Sequence, residues 1–242
     1  MIAVGKISQK WAEQSQIPVW YQETTTSTNL IAKDQVISES PVTLYLADHQ
    51  TQGRGRGSNT WLGADAGSGT LLSSWVFQMR NAPQPVLAPA IGLAVWTALK
   101  SSFPWMNFSL KAPNDIYLDE KKIAGILLES AQHSAKGNPV HRLIVGLGIN
   151  VWKSPSQIET AGSLIDSLST ELTEQNWIHV LDRLLLEISL GISQTAQALN
   201  ENQRQSLKHA LNLYPGLEMP YEKIDPDGSL WTFSQKINWS EL

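Results

Sequence analysis

NFSLKAPNDIYLDEKKIAGILLES, residues 107–130, decides the fold. Apolar residues on both sides of Pro113 predict two short strands, because proline fixes a turn and removes a ladder donor. Asp119-Glu120 predicts a second tight turn, with a longer strand beyond it. Strands joined by turns this short run antiparallel. Downstream, HRLIVGLGINV (141–151) is a continuous apolar run, which predicts a strand in the middle of a sheet. Upstream, IPVWYQE (17–23), PVTLYLADHQ (41–50) and TLLSSWVFQM (70–79) predict three more strands. TTSTNLIAKDQVIS (25–38) predicts a helix with Ser or Thr as N-cap, and PVLAPAIGLAVWTALKSS (85–102), apolar almost all round, a buried one. A long amphipathic helix is expected over 175–199 and another over about 201–213. Asp-Pro-Asp-Gly, between two strand-like runs in 217–233, predicts a hairpin. Paired strands with helices grouped between them give an α+β class with a mixed, largely antiparallel sheet.

The chain has 242 residues, a net charge of −4 and only 17% charged residues, so it is no general electrostatic nucleic-acid binder. It contains no cysteine, which excludes disulfides, thiolate metal sites and cysteine nucleophiles. No run approaches the roughly 18 apolar residues of a membrane span, and no signal-peptide core opens the chain. A cytoplasmic protein is expected.

Three stretches carry chemistry. In HQTQGRGRGSNTW (49–61), Gly53, Gly55 and Gly57 alternate with Arg54 and Arg56. Glycine lets backbone N–H groups turn toward an anion, and the guanidinium fork suits phosphate or carboxylate. A solvated basic loop is the plainer alternative. With no apolar anchor before Trp61 and two unpaired charges, the loop is expected to be mobile without ligand and to close on an anion. In 111–125, Lys121 and Lys122 open a strand that reaches Ala124-Gly125, where a ligand can lie against backbone while an ammonium meets its charge. Lysines on an exposed edge strand explain the same pattern. Asp115 could orient a metal, a ribose or an arginine. In GLGIN (146–150), two glycines suggest close approach of a flat ligand, or tight packing against a helix; the spacing is not that of a dinucleotide fingerprint. A P-loop, a His pair at metal spacing and a G-x-S-x-G elbow are all missing.

Taken in order, these stretches resemble the biotin protein ligase family, in the form without a DNA-binding domain. The carriers of the likeness are Ser27-Thr28-Asn29, Gln50 with Gly53–Arg56 and Trp61, Lys111 to Leu127, and Gly146 to Asn150. The resemblance implies a class II aminoacyl-tRNA synthetase/biotin ligase-like fold. It implies ATP-dependent activation of biotin to biotinyl-5'-AMP, then transfer to a lysine of the biotin carboxyl carrier protein of acetyl-CoA carboxylase. It assigns catalysis to Lys122, Arg56 and Asp115. Biotin would be met by Ser27, Thr28, Asn29, Gln50, Gly53, Arg54, Gly55, Arg56, Lys122, Gly125 and Gly146. ATP would be met by Arg54, Arg56, Trp61, Lys111, Asn114 and Asn150. Magnesium is expected with ATP, Asp115 being its candidate ligand; neither DNA nor a membrane is an expected partner, and the protein is expected as a monomer or weak homodimer. Residues 1–213 would form the catalytic domain and 214–242 a shortened C-terminal β segment. Gly57 stands where the family usually has another arginine, and Ala112 where it has tryptophan. These departures keep open a non-catalytic biotin-binding paralogue, and a lipoate or octanoate transferase shares the fold.

Overall fold

The computed structural model describes residues 3–35, 39–63, 69–135, 138–168, 171–195 and 197–242. The chain folds as two compact units, each built from two segments: Met1–Pro83 with Ile123–Glu171, and Gln84–Lys122 with Leu172–Leu242.

The first unit is a sheet with helices on both faces. Its strands are β1 (Val19–Thr25), β2 (Val42–Gln50), β3 (Thr70–Met79), β6 (Lys121–Ala135, whose first two residues belong to the second unit) and β7 (Asn138–Asn150). They lie in the order β1-β2-β3-β7-β6, with β7 inside the sheet as expected. The β1–β2 pair is parallel, and β2–β3, β3–β7 and β6–β7 are antiparallel. The sheet is therefore mixed and largely antiparallel, and the class is α+β. Two helices cover it: α1 (Val4–Gln14) and α2 (Thr28–Asp34). Trp11 of α1 packs on Trp75 of β3, ring centroids 5.7 Å apart. Ala32 of α2 packs with Tyr45, Val76 and Ile144. Successive side chains of a strand point to opposite faces, so Trp75 and Val76 place α1 and α2 on opposite sides of the sheet. Coverage of both faces is why β3 and β7 are nearly continuous apolar runs.

Helix α1 is an addition to the expected elements. Its buried residues Val4, Ile7, Ser8, Trp11 and Ala12 form an i, i+3, i+4, i+7, i+8 stripe. The expected helix over 25–38 is realised as α2, and residues 36–38 lie outside the described residues.

In the second unit, α3 (Leu87–Ser102) packs against α4 (Glu174–Gln194), α5 (Glu201–Asn212) and β4 (Phe108–Lys111). Strand β4 pairs with β5 (Asp115–Leu118), as predicted, and Asp119 in the turn after β5 has φ +52°. The long helix α4 stops at Gln194, short of the expected Leu199, because the chain leaves it to build the cap of α5. Asn200 accepts from the Gln203 N–H, and the Gln203 side chain accepts from the Asn200 N–H, both at 2.9 Å. The predicted tail hairpin is β8 (Lys223–Ile224) with β9 (Leu230–Trp231), and β10 (Lys236–Ile237) adds a third antiparallel strand. Among the described residues, no helix is long and apolar enough to cross a membrane.

Candidate active site

Strand register gathers the site on the α2 face of the first unit. Ser74 pairs with Gly146, Leu127 with Gly146, Gly125 with Gly148, and Glu129 with Ile144. With a side-chain period of two, Ser74, Gly125, Glu129, Gly146 and Gly148 share one face. Over β6 and β7 that face has glycine at 125, 146 and 148, which leaves a gap beside Leu127, Glu129 and Ile144.

Two side chains fill the space the glycines leave. A Cβ on Gly146 would lie 2.8 Å from the amide nitrogen of Asn29, and one on Gly125 would lie 2.7 Å from Cζ3 of Trp61. A Cβ on Gly148 would overlap the same indole. Trp61 and Asn29 lie over the glycine positions where the sequence suggests close approach of a flat ligand.

A buried polar network connects the first turn of α2 to the end of β2. Gln50 Oε1 accepts from the Thr28 N–H at 2.7 Å and from the Thr28 hydroxyl at 3.2 Å. Ser74 Oγ lies 2.8 Å from Thr28 Oγ1 and also contacts Asn29 Oδ1, so its single proton serves one of the two at a time. Asn29 Nδ2 donates to Glu129 Oε2 at 2.9 Å and to the Leu127 carbonyl at 3.4 Å. Asn29 is thus a cross-link whose oxygen and nitrogen both have protein partners. Ser27 is buried at the N-cap position, yet its hydroxyl makes no capping bond.

The glycine–arginine segment is a closed hairpin. Gly55 N–H donates to Asn59 O at 2.8 Å, Trp61 N–H donates to Gly53 O at 3.0 Å, and Arg54 and Thr60 form a β-bridge. A Cβ on Gly53 would overlap the Trp61 carbonyl, which is why a glycine stands there. One expectation fails: Arg54 is paired, its guanidinium lying 3.2 Å from Glu129 Oε1. Lys33 Nζ lies 2.5 Å from the same carboxylate oxygen. Burial pushes the Glu129 carboxyl up, but the hydrogen bonds from Lys33 and Asn29 and the charges of Lys33 and Arg54 outweigh it. Glu129 therefore titrates below its ordinary value. Arg56 sits at the hairpin tip, where its carbonyl accepts from Asn59 N–H at 3.1 Å.

Asn150, expected to offer its amide to an adenine, uses it internally. Its Nδ2 donates to the Gly162 carbonyl at 3.0 Å, and its Oδ1 accepts from Thr70 at 3.5 Å.

Lys111, Asn114, Asp115 and Lys122 belong to the second unit. Lys111 Nζ stands 5.8 Å from the Tyr117 ring centroid and 5.5 Å from that of Tyr214, a cation–π arrangement. Asn114 lies in the turn between β4 and β5. Lys122 Nζ lies 2.7 Å from Asp115 Oδ1. Asp115 therefore fits a lysine-orienting role better than a metal-binding one. No group of three or more metal-ligating side chains exists among the described residues.

Sequence reasoning missed Ser74, Glu129, Lys33 and Arg142. Arg142 is buried and donates to three carbonyls at the end of α2: Ala32 at 3.2 Å, Lys33 at 2.9 Å and Gln35 at 3.0 Å. A charged residue inside the apolar run 140–149 is the signal that could have exposed it.

Residues 21–150, more than half of the chain, match the biotin/lipoate A/B protein ligase family, and the chain belongs to that family. Among its relatives is the biotin–[acetyl-CoA-carboxylase] ligase of Mycobacterium tuberculosis, 30% identical over 76% of this chain and 66% of that protein. The bifunctional ligase/repressor BirA of Bacillus subtilis is 33% identical over 56% of this chain and 41% of its own length. The chain thus spans between about two fifths and two thirds of these relatives. A solved structure of biotin protein ligase from Aquifex aeolicus in complex with biotin and ATP superposes with a TM-score of 0.68. It is 25% identical, and the match covers 91% of this chain and 95% of that one.

Proposed function

We propose that the protein is an ATP-dependent biotin–protein ligase whose acceptor is a lysine of a biotin carboxyl carrier protein, acting in the cytoplasm. The observation that carries this reading is the α2 face of the first unit. There a buried donor–acceptor network (Thr28, Gln50, Ser74) lies on the same sheet as an arginine hairpin closed over glycines. A polar, ring-shaped head group suits the first, and an anionic acyl phosphate the second.

In the proposed reaction, a biotin carboxylate oxygen attacks the α-phosphorus of ATP. The bond to the bridging oxygen breaks, pyrophosphate leaves, and biotinyl-5'-AMP forms. The amine of the acceptor lysine then attacks the acyl carbon, and AMP departs with the C–O bonding pair while the amine's proton passes to solvent. Both first-step reactants are anions, so the protein's contribution is positioning and charge neutralisation. Ser27, Thr28 and Gln50 would bind the head group. Arg54 and Arg56, with the backbone of Gly53 and Gly55, would meet carboxylate and phosphate. Lys122, oriented by Asp115, would meet the reacting carboxylate and α-phosphate. The indole of Trp61 would leave the glycines to meet the adenine. Lys111 and Asn114 are proposed on the nucleotide side.

The test is mass spectrometry of a carrier fragment incubated with the protein, biotin and Mg-ATP. One biotinyl group on one lysine is expected. Lipoyl or octanoyl transfer in place of biotinylation would assign the chain to the other branch of the family. Biotin binding without transfer would make it a non-catalytic binder. Lys122→Ala should slow biotin-dependent pyrophosphate release by roughly 100- to 1,000-fold, the usual loss of a preorganised cation at developing charge.

A further inference from the structure

We propose that Glu129 is the positioning residue of the arginine hairpin, acting through Arg54. Its carboxylate lies on the glycine face of β6 and holds three groups from two other segments. These are the Arg54 guanidinium at 3.2 Å, the Lys33 ammonium at 2.5 Å and the Asn29 amide at 2.9 Å. Two of the groups come from α2 and the third from the hairpin. One carboxylate therefore sets the hairpin's register against the helix that carries Ser27, Thr28 and Asn29.

The arrangement exceeds what one stabilising ion pair requires. The Glu129 side chain is only 12% exposed, whereas that of Arg54 is 38% exposed, so the acid is fixed and the arginine is the movable partner. The three charged groups leave one net positive charge, so the cluster still attracts an anion while Glu129 is in place. Without the carboxylate, Lys33 and Arg54 become two like charges brought close together, and their repulsion pushes the hairpin off the sheet. Glu129 touches no reacting atom in this account. It raises the fraction of molecules in which Arg54 is already set to meet an anion.

The structural part of this inference stands alone; its catalytic part rests on the ligase reading. Glu129→Gln keeps the shape and removes the charge, and Glu129→Asp keeps the charge. In the ligand-free protein, trypsin should cut after Arg54 and Arg56 about tenfold faster in Glu129→Gln than in the wild type, since hydrogen bonds to charged groups carry that order of stabilisation. In Glu129→Asp the rate should stay within about twofold. In turnover, Glu129→Gln should raise KM for ATP about tenfold and change kcat less than about twofold, because a smaller competent fraction lowers apparent affinity. A merely structural carboxylate would lower the active fraction, hence kcat, and leave KM alone. Because Glu129 acts through Arg54, Arg54→Gln with Glu129→Gln should be no worse than Arg54→Gln alone. Unchanged tryptic rates in Glu129→Gln, or losses that multiply in the double variant, overturn the assignment. If the wild type shows no biotin-dependent turnover, the ligase reading fails, and the tryptic rates alone decide the role of Glu129.

Discussion

The Asp225–Gly228 turn and the Gly53–Trp61 hairpin are both short, charged and glycine-bearing, but they are held in opposite ways. In the first, the charges are met by near neighbours in sequence, and one long-range bond is added: the Pro226 carbonyl accepts from the Leu199 N–H at 2.7 Å. Asp225 N–H donates to Ser229 O, Gly228 N–H donates to Asp225 O, and Ser229 N–H donates to Asp227 Oδ1, each at 2.9 Å. Gly228 takes the left-handed conformation at φ +88°. The Asp225 carboxylate is met by Lys223 at 2.8 Å, Lys236 at 3.0 Å and the Trp231 indole N–H at 2.8 Å. In the second, local hydrogen bonds close the hairpin, but its charge and its aromatic end are held from afar. Arg54 reaches Glu129, 75 positions away, and Trp61 rests on Gly125 and Gly148. A turn whose charges are met by its own hairpin is a fixed structural corner. A turn whose cation and indole sit on exchangeable partners can give both up to a ligand.

The largest effect that would sharpen this contrast is on the distant side. Arg142→Ala removes three charge-assisted bonds to the end of α2; the Gln35 carbonyl keeps the Tyr45 hydroxyl as a donor at 3.0 Å, while those of Ala32 and Lys33 lose the guanidinium. The substitution should cost about 3–5 kcal/mol of stability in urea unfolding. A loss under about 1 kcal/mol would mean that α2 does not depend on its long-range tether. Next, Gly148→Ala should drive the indole off its seat at about 1–3 kcal/mol, seen as a shift in tryptophan emission and faster hydrogen exchange at residues 53–61. Unchanged exchange there would break the comparison, since the hairpin would then be holding itself. Gly228→Ala is the local counterpart. It forces alanine to φ +88° with its Cβ 2.6 Å from Pro89, costing about 1–2 kcal/mol, and exchange at residues 53–61 should not change.

The smallest effect concerns acid. Hydrogen bonds from Lys223, Trp231 and Lys236, with the charge of Lys223, hold the Asp225 carboxyl far below its ordinary value, against the small opposing effect of burial. A depressed folded-state pKa adds stability above the unfolded value of about 3.9, and that stability is lost as pH falls below it. Because the pair is near the surface, Asp225→Asn should cost less than about 1 kcal/mol at pH 7. The gap from wild type should narrow in melts taken below about pH 4. A gap that stays constant with pH would show that the carboxylate's charge contributes nothing to the turn.

Local rules made part of this legible. The Asp-Pro-Asp-Gly turn, the strands over 41–50, 70–79 and 141–151 and the buried helix over 85–102 are written in short-range periodicity and turn chemistry. So are Gln50, the GRGR run and Trp61, because unusual residues cluster in one stretch. Helix α1 was equally readable from Val4, Ile7, Trp11 and Ala12. Ser74 was not, because a serine in an apolar strand looks like any tolerated small residue until β3 is set beside β7 and α2.

By itself, the sequence determined the α+β class, the hairpins, the family likeness and the residue types that meet an anion, because these depend on neighbours within a few positions. Only the tertiary structure decided that Asn29 and Trp61 fill the space over Gly146, Gly125 and Gly148, that Arg142 tethers α2, and that Glu129 holds Arg54. Strand register brings those partners together from distant parts of the chain, and register is set by the burial of a whole sheet face rather than by any one stretch.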